Sequence, residues 1–338
     1  MTHLLRIFAI ATLAIAACVD SDAAFSHTAT NATEDNAALI AATAADPSPP
    51  AQAASGPGGA DYRFASSVTT FHAQANDDLS YWTIEPRDWR GGGATPTQAP
   101  LIVFLHGWGG NDPFWYSAWL THLARKGNIL IFPKFQNLAS IDQFYTGNAI
   151  WSVRDALSVL ATAPIRPASW FGMSLVAHSV GGNVAANLAH RWLAEGLPMP
   201  RSILLAMPFG NPFTLDALTQ IPALTTLDCV VAQDDPIAGR AGCDLIWSRT
   251  PQLAQRNYVV LPSDTYGTPD LVASHFTPNA SDALAQRGLW KLADALRDCT
   301  MGSHCSHALG NTPEQRSLGA WSDGTPVRPL AVTTAPPP

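Results

Sequence analysis

The chain has 338 residues, 47% of them hydrophobic and 13% charged, enough apolar material for one large or two medium folded bodies. Its formal charge is −7 and only three residues are lysine, so there is no polybasic patch and no reason to expect a nucleic-acid partner. No internal repeat divides the sequence, and eleven tryptophans imply a large core or an aromatic-lined pocket.

Residues 1–17 carry one arginine, Arg6, and then an apolar run from residue 7. That run is too short to span a bilayer comfortably and reads as an export signal. It ends Ile15-Ala16-Ala17-Cys18, which resembles a bacterial lipobox, so Cys18 is expected to become a lipidated N-terminus that anchors the protein to a membrane. The alternative is a plain signal peptide cut near Ala17 or Ala23. Val19, not aspartate, follows the cysteine, which in a Gram-negative host points to the outer membrane. Residues 18–60, rich in Ala, Thr, Ser and Pro, cannot bury enough apolar surface to offset their ordering entropy and read as a disordered tether.

A globular pattern begins at Asp61. Residues 62–72 and 79–85 read as antiparallel strands joined at Asn76-Asp77-Asp78. The continuous apolar run Leu101-Ile102-Val103-Phe104-Leu105 reads as a buried parallel strand that passes directly into His106-Gly107-Trp108-Gly109-Gly110. A helix over 117–127 presents Trp119, Leu120, Leu123 and Ala124 on one face. A strand over 128–132 is stopped by Pro133, and a helix over 148–161 follows. Strands over 202–207 and 225–233 come next, then a last strand over 258–261 and a C-terminal helix over 281–298. Alternating strands and helices predict an α/β fold, with a mostly parallel central sheet flanked by helices. The expected folded body is 61–310, with 311–338 a partly disordered C-terminal extension.

The chemistry concentrates where Leu175-Val176-Ala177-His178 runs into Ser179-Val180-Gly181-Gly182. A strand meeting a helix with no loop between them forces a sharp turn at Ser179, and small neighbours permit it. The turn lifts the hydroxyl above the sheet edge and aims the unpaired N–H groups of a helix start at it. Downstream, the strand over 225–233 ends at Asp234-Asp235, and Ser274-His275-Phe276 follows the last strand.

These segments resemble the α/β-hydrolases: a nucleophile elbow, with Ala177 in place of the usual first glycine, and a His-Gly-x-Gly-Gly oxyanion loop. The linked order is similar to the chlorophyllase, dienelactone hydrolase and polyester-hydrolase branch, with minimal room for a cap between Pro208 and Leu224. The resemblance implies a serine esterase with Ser179 as nucleophile, His275 as base and Asp235 as acid, with Asp234 the alternative acid. It implies oxyanion donors in the backbone N–H groups of Trp108 and Val180, with His106 and His178 in supporting places. No metal or organic cofactor is implied. Esters with short or exposed chains, small or polymeric, are the expected substrates. A peptidase, thioesterase or acyltransferase of the same fold shares these residues, and a non-catalytic surface-binding lipoprotein is the rival of a different class.

Setting Cys18 aside leaves four cysteines, for which three pairings are formally open. The local pairs Cys229–Cys243 and Cys299–Cys305 are expected in an exported protein. The competing use of Cys299, His304, Cys305 and His307 is a metal site. Trp108, Phe114, Trp115 and Tyr116 line a pocket or belong to the core. Nothing in the residues specifies an oligomeric state.

Overall fold

The computed structural model describes residues 46–336. The expected signal segment 1–17, Cys18 and the tether as far as residue 45 lie outside the described residues. The strands are β1 (Phe64–His72), β2 (Tyr81–Trp89), β3 (Gln98–Ala99), β4 (Leu101–Leu105), β5 (Ile129–Pro133), β6 (Arg166–Pro167), β7 (Met173–His178), β8 (Pro200–Ala206), β9 (Thr226–Ala232), β10 (Arg256–Leu261) and β11 (Ala331–Thr333). Nine of them form one sheet in the order β1-β2-β5-β4-β7-β8-β9-β10-β11, while β3 and β6 pair separately. From β5 to β10 neighbouring strands run parallel; β1, β2 and β11 are antiparallel additions at the edges.

Both faces of the sheet are buried, which is why β4 and β5 are apolar at every position instead of alternating. Leu101, Val103 and Leu105 enter one core with Leu175, Ala177, Ile203 and Leu205. The helices α2 (Tyr145–Leu160), α3 (Gly181–Arg191) and α4 (Ala241–Ser248) cover that face. Ile102, Phe104, Val176 and Leu204 enter the other core, beneath α1 (Ser117–Arg125) and α5 (Lys291–Cys299). The mixed α/β fold is consistent with an α/β-hydrolase-like architecture, as the alternation of apolar runs and amphipathic helices predicts. Among the described residues, no helix is long and apolar enough to cross a membrane.

The structure departs from the sequence reading at both chain ends. The strand over 258–261 is not the last: β11 pairs with β10, placing Val332 opposite Val259 and burying it. A three-residue run among prolines carries almost no local strand signal, so only its partner β10 makes it a strand. The segment 311–330 also packs, with Trp321 and Leu330 fully buried. The expected tether likewise includes a stretch, 46–60, that lies on the body. It has no large apolar side chain and is held mainly through its backbone. Gly58 N–H donates to the fully buried Asp294 carboxylate at 2.9 Å, Lys126 Nζ donates to Gly56 O at 2.9 Å, and Arg287 Nε donates to Ala51 O at 2.8 Å. Pro47 O accepts from Thr268 N at 2.9 Å, which ties this segment to the loop leading to His275.

Removing residues 46–60 leaves Asp294 short of a charge-assisted hydrogen bond, a loss of about 2 kcal/mol. A chain beginning at residue 61 is therefore expected to melt about 3 °C below one beginning at residue 46, as read by circular dichroism. Coincident melts would show that the segment contributes nothing to stability.

Candidate active site

Ser179 occupies the junction of β7 and α3 with φ +53, in the left-handed region that costs a non-glycine residue about 1–3 kcal/mol. The cost is met by close packing. Its N–H donates to Ala206 O at 3.2 Å, and its carbonyl accepts from Gly182 N at 2.9 Å and Phe209 N at 2.9 Å. A Cβ on Gly181 would stand 2.2 Å from Leu105 O, so only glycine lets the helix start this close to β4.

His275 and Asp235 arrive from different strand ends and complete a line with the serine. His275 Nε2 is 3.0 Å from Ser179 Oγ, and His275 Nδ1 is 2.8 Å from Asp235 Oδ2. All three residues are buried. Burial opposes ionisation of Asp235, but the His275 hydrogen bond and charge, with the N–H groups of Ala238 and Ile237, hold its carboxyl below the usual range. An ionised carboxylate can only accept, so Nδ1 carries the imidazole proton and Nε2 offers its lone pair to the serine hydroxyl. Asp234 goes elsewhere: its carboxylate accepts from Ser263 Oγ and its N–H donates to Ala273 O at 2.9 Å. The acidic partner of the imidazole is thus Asp235.

The loop after β4 presses on Ser179. A Cβ on Gly107 would lie 3.2 Å from Ser179 Cβ and 2.9 Å from His178 Nδ1. Gly110 N–H closes the turn on Gly107 O at 3.0 Å, with Gly109 at φ +74. Trp108 and Val180, whose N–H groups are the expected oxyanion donors, each stand next to that contact, Val180 with helical dihedrals at the start of α3. His106 is fully buried with its two ring nitrogens 2.7 Å from the carbonyl oxygens of Gly107 and Lys134, and burial pushes its pKa down to about 4. It holds the loop and does not reach the serine line.

Tyr116 is buried against Phe104 and Phe132, whereas Trp108, Phe114 and Trp115 are exposed, so the aromatic group divides between core and surface. Phe209, Ile237 and Phe276 are exposed as well, each within two residues of a group bonded to the Ser179–His275–Asp235 line. The two local disulfides form as expected. Cys229–Cys243 spans the loop carrying Asp235 and ties β9 to α4. Cys299–Cys305 closes the turn after α5, so neither sulfur is a thiolate free to bind a metal. What sequence reasoning missed is the hydroxyl of Tyr116, which joins Gly107 to His178; its only signal is an aromatic among several in Pro113–Tyr116.

Chemically, the arrangement can withdraw the Ser179 proton as Oγ attacks an electrophile. A fluorophosphonate reads that capacity without presupposing a substrate. Asp235→Asn is expected to slow labelling of Ser179 by about 10³- to 10⁴-fold, because the imidazole loses its tautomer. Asp234→Asn should stay within about tenfold of the parent; the reverse ranking would assign the acid to Asp234.

No protein-family model matches the chain, and no curated protein sequence matches it.

Proposed function

We propose that this chain is an exported serine hydrolase of the α/β-hydrolase type that cleaves carboxylic esters. The observation that carries the reading is the hydrogen-bonded line Asp235–His275–Ser179, with the serine at a left-handed turn against the first turn of a helix. Three residues far apart in the chain, all buried, have no packing reason to converge in that order. Two disulfides are compatible with a location outside the cytoplasm.

In this reading His275 Nε2 takes the Ser179 proton while Oγ bonds to the ester carbon and the carbonyl π pair moves onto oxygen. The N–H groups of Val180 and Trp108 stabilise that oxyanion, and Asp235 stabilises the imidazolium. Collapse expels the alcohol oxygen, which takes the proton back from His275. Water then repeats the sequence on the acyl-enzyme, giving up a proton to His275, and the acid leaves. The exposed Trp108, Phe209 and Phe276 beside the line favour esters that carry uncharged, apolar groups. Lipidation at Cys18 adds a membrane anchor through the N-terminal segment.

The test is hydrolysis of p-nitrophenyl esters from acetate to palmitate by the chain from residue 46 onward, beside Ser179→Ala. Turnover that falls by at least about 10³-fold in the variant is expected. A folded parent that turns over none of them, while cleaving an amide or thioester, would reassign the leaving group. A parent inert toward every acyl donor and unlabelled by a fluorophosphonate would overturn the enzyme reading.

A further inference from the structure

His178 precedes the nucleophile and is fully enclosed, yet the serine chemistry gives it nothing to do. Its two ring nitrogens nevertheless have defined partners. Nε2 lies 2.9 Å from the backbone carbonyl of His275, and Nδ1 lies 2.8 Å from Tyr116 Oη. A carbonyl can only accept, so Nε2 must carry the hydrogen. Burial above all pushes the ring's pKa down to about 3, so the imidazole is neutral and Nδ1 is an acceptor. Tyr116 must then donate its hydroxyl hydrogen to Nδ1. The same oxygen accepts from Gly107 N–H at 2.8 Å.

The result is a polar chain with one direction throughout. Gly107 N–H donates to Tyr116, Tyr116 O–H donates to His178, and His178 Nε2–H donates to His275 C=O. It begins in the loop that presses on Ser179 and ends on the backbone of the residue that faces Ser179 from the other side. Aromatic rings enclose it: Tyr116 packs against Phe104 with centroids 5.0 Å apart, and the His178 and His275 rings are 4.8 Å apart. Because Tyr116 and His178 are both buried, a missing link leaves its neighbours unpaired and free to shift.

We propose that Tyr116 and His178 are positioning residues that hold the oxyanion loop and the backbone of the base in register across the nucleophile. The proposal rests on the serine-hydrolase reading for its kinetic consequences but not for its hydrogen bonds. Neither side chain touches the reacting atoms. Their effect is on the distance between the two halves of the site, to which the transition state is more sensitive than the bound ester.

The kinetic arm uses p-nitrophenyl butyrate. Tyr116→Phe is expected to lower kcat by about 10- to 100-fold while KM changes less than about threefold. His178→Leu should do the same, and His178→Gln, whose amide can both donate to His275 O and accept from Tyr116, should recover most of the loss. Because the two residues act through one chain, Tyr116→Phe with His178→Leu should be little worse than either alone. Equal losses in the Gln and Leu variants, additive losses in the double variant, or full activity in Tyr116→Phe would each overturn the proposal.

The second arm needs no turnover and stays informative where a His178 variant fails to fold. Imidazole ¹⁵N–¹H correlation spectra of the unmodified chain should show His178 as the neutral Nε2–H tautomer from pH 8 down to pH 5. An Nδ1–H tautomer or an imidazolium in that range would overturn the hydrogen-bond chain itself. Failure of the esterase reading would show separately, as an unmodified chain that neither turns over the ester nor reacts with a fluorophosphonate while the tautomer is as expected.

Discussion

A strained turn can exist only where its surroundings remove every alternative, and the φ of +53 at Ser179 is such a case. The surroundings are three parallel strands. β8 supplies Ala206 O to the serine N–H, the segment after β8 supplies Phe209 N–H to the serine carbonyl, and β4 ends against Gly181. The order β4-β7-β8 at the middle of the sheet is therefore a condition of the turn. The loops leaving the carboxyl ends of these strands gather on one edge, as ligand-binding loops do in open parallel sheets. Gly107, Ser179 and Phe209 meet there because the sheet brings them together.

Asp235 and His275 depend on longer-range support. The Asp235 carboxylate is fixed from behind by Ile237 N–H at 2.8 Å and Ala238 N–H at 3.0 Å, and the Cys229–Cys243 bond closes the chain around that turn. The loop between β10 and His275 is held by both ends of the folded chain. Thr268 bonds to Pro47, while Asp264 Oδ2 accepts from Arg328 N at 2.7 Å and from Trp321 Nε1 at 3.3 Å. The segment that leads away toward the N-terminus is thus part of the support of the loop that carries His275.

Local chemistry explains what was legible in the residues and what was not. The apolar runs of β4, β5, β7 and β8, the small residues around Ser179 and the glycines after His106 each carry their meaning within a few positions, and the structure places them as read. The order of Ser179, Asp235 and His275 needed the resemblance, because nothing local distinguishes Asp235 from Asp234; the choice is made by Ser263, 29 residues on from Asp234. Helix α4 was not anticipated: it is eight residues long and its N-cap, Arg240, makes no side-chain capping bond, so no start signal marks it. Segment 46–60 and β11 look unstructured because their order comes from distant partners: Asp294, Lys126, Arg287 and β10. Asp228 is the converse, a carboxyl inside an apolar run that stays in the core with Asn257 Nδ2 donating to it at 2.8 Å.

Three histidines crowd the serine, and burial and partners together sort them. His106 and His178 are enclosed among rings and carbonyls, with pKa values driven down to about 4 and about 3 by loss of solvent. The lone pair of neutral His178 is taken by the Tyr116 hydroxyl and that of His106 faces the Gln136 amide at 3.4 Å, so neither is offered to the serine proton. His275 is buried too, but it alone of the three faces a carboxylate, and that carboxylate is itself anchored by two N–H groups. A base must become a cation during the reaction, and only a site with a fixed counter-charge makes that affordable in low dielectric. What separates the three histidines therefore lies one bond away from the ring, in what the far nitrogen faces: a carbonyl oxygen for His106 and His178, an ionised carboxylate for His275.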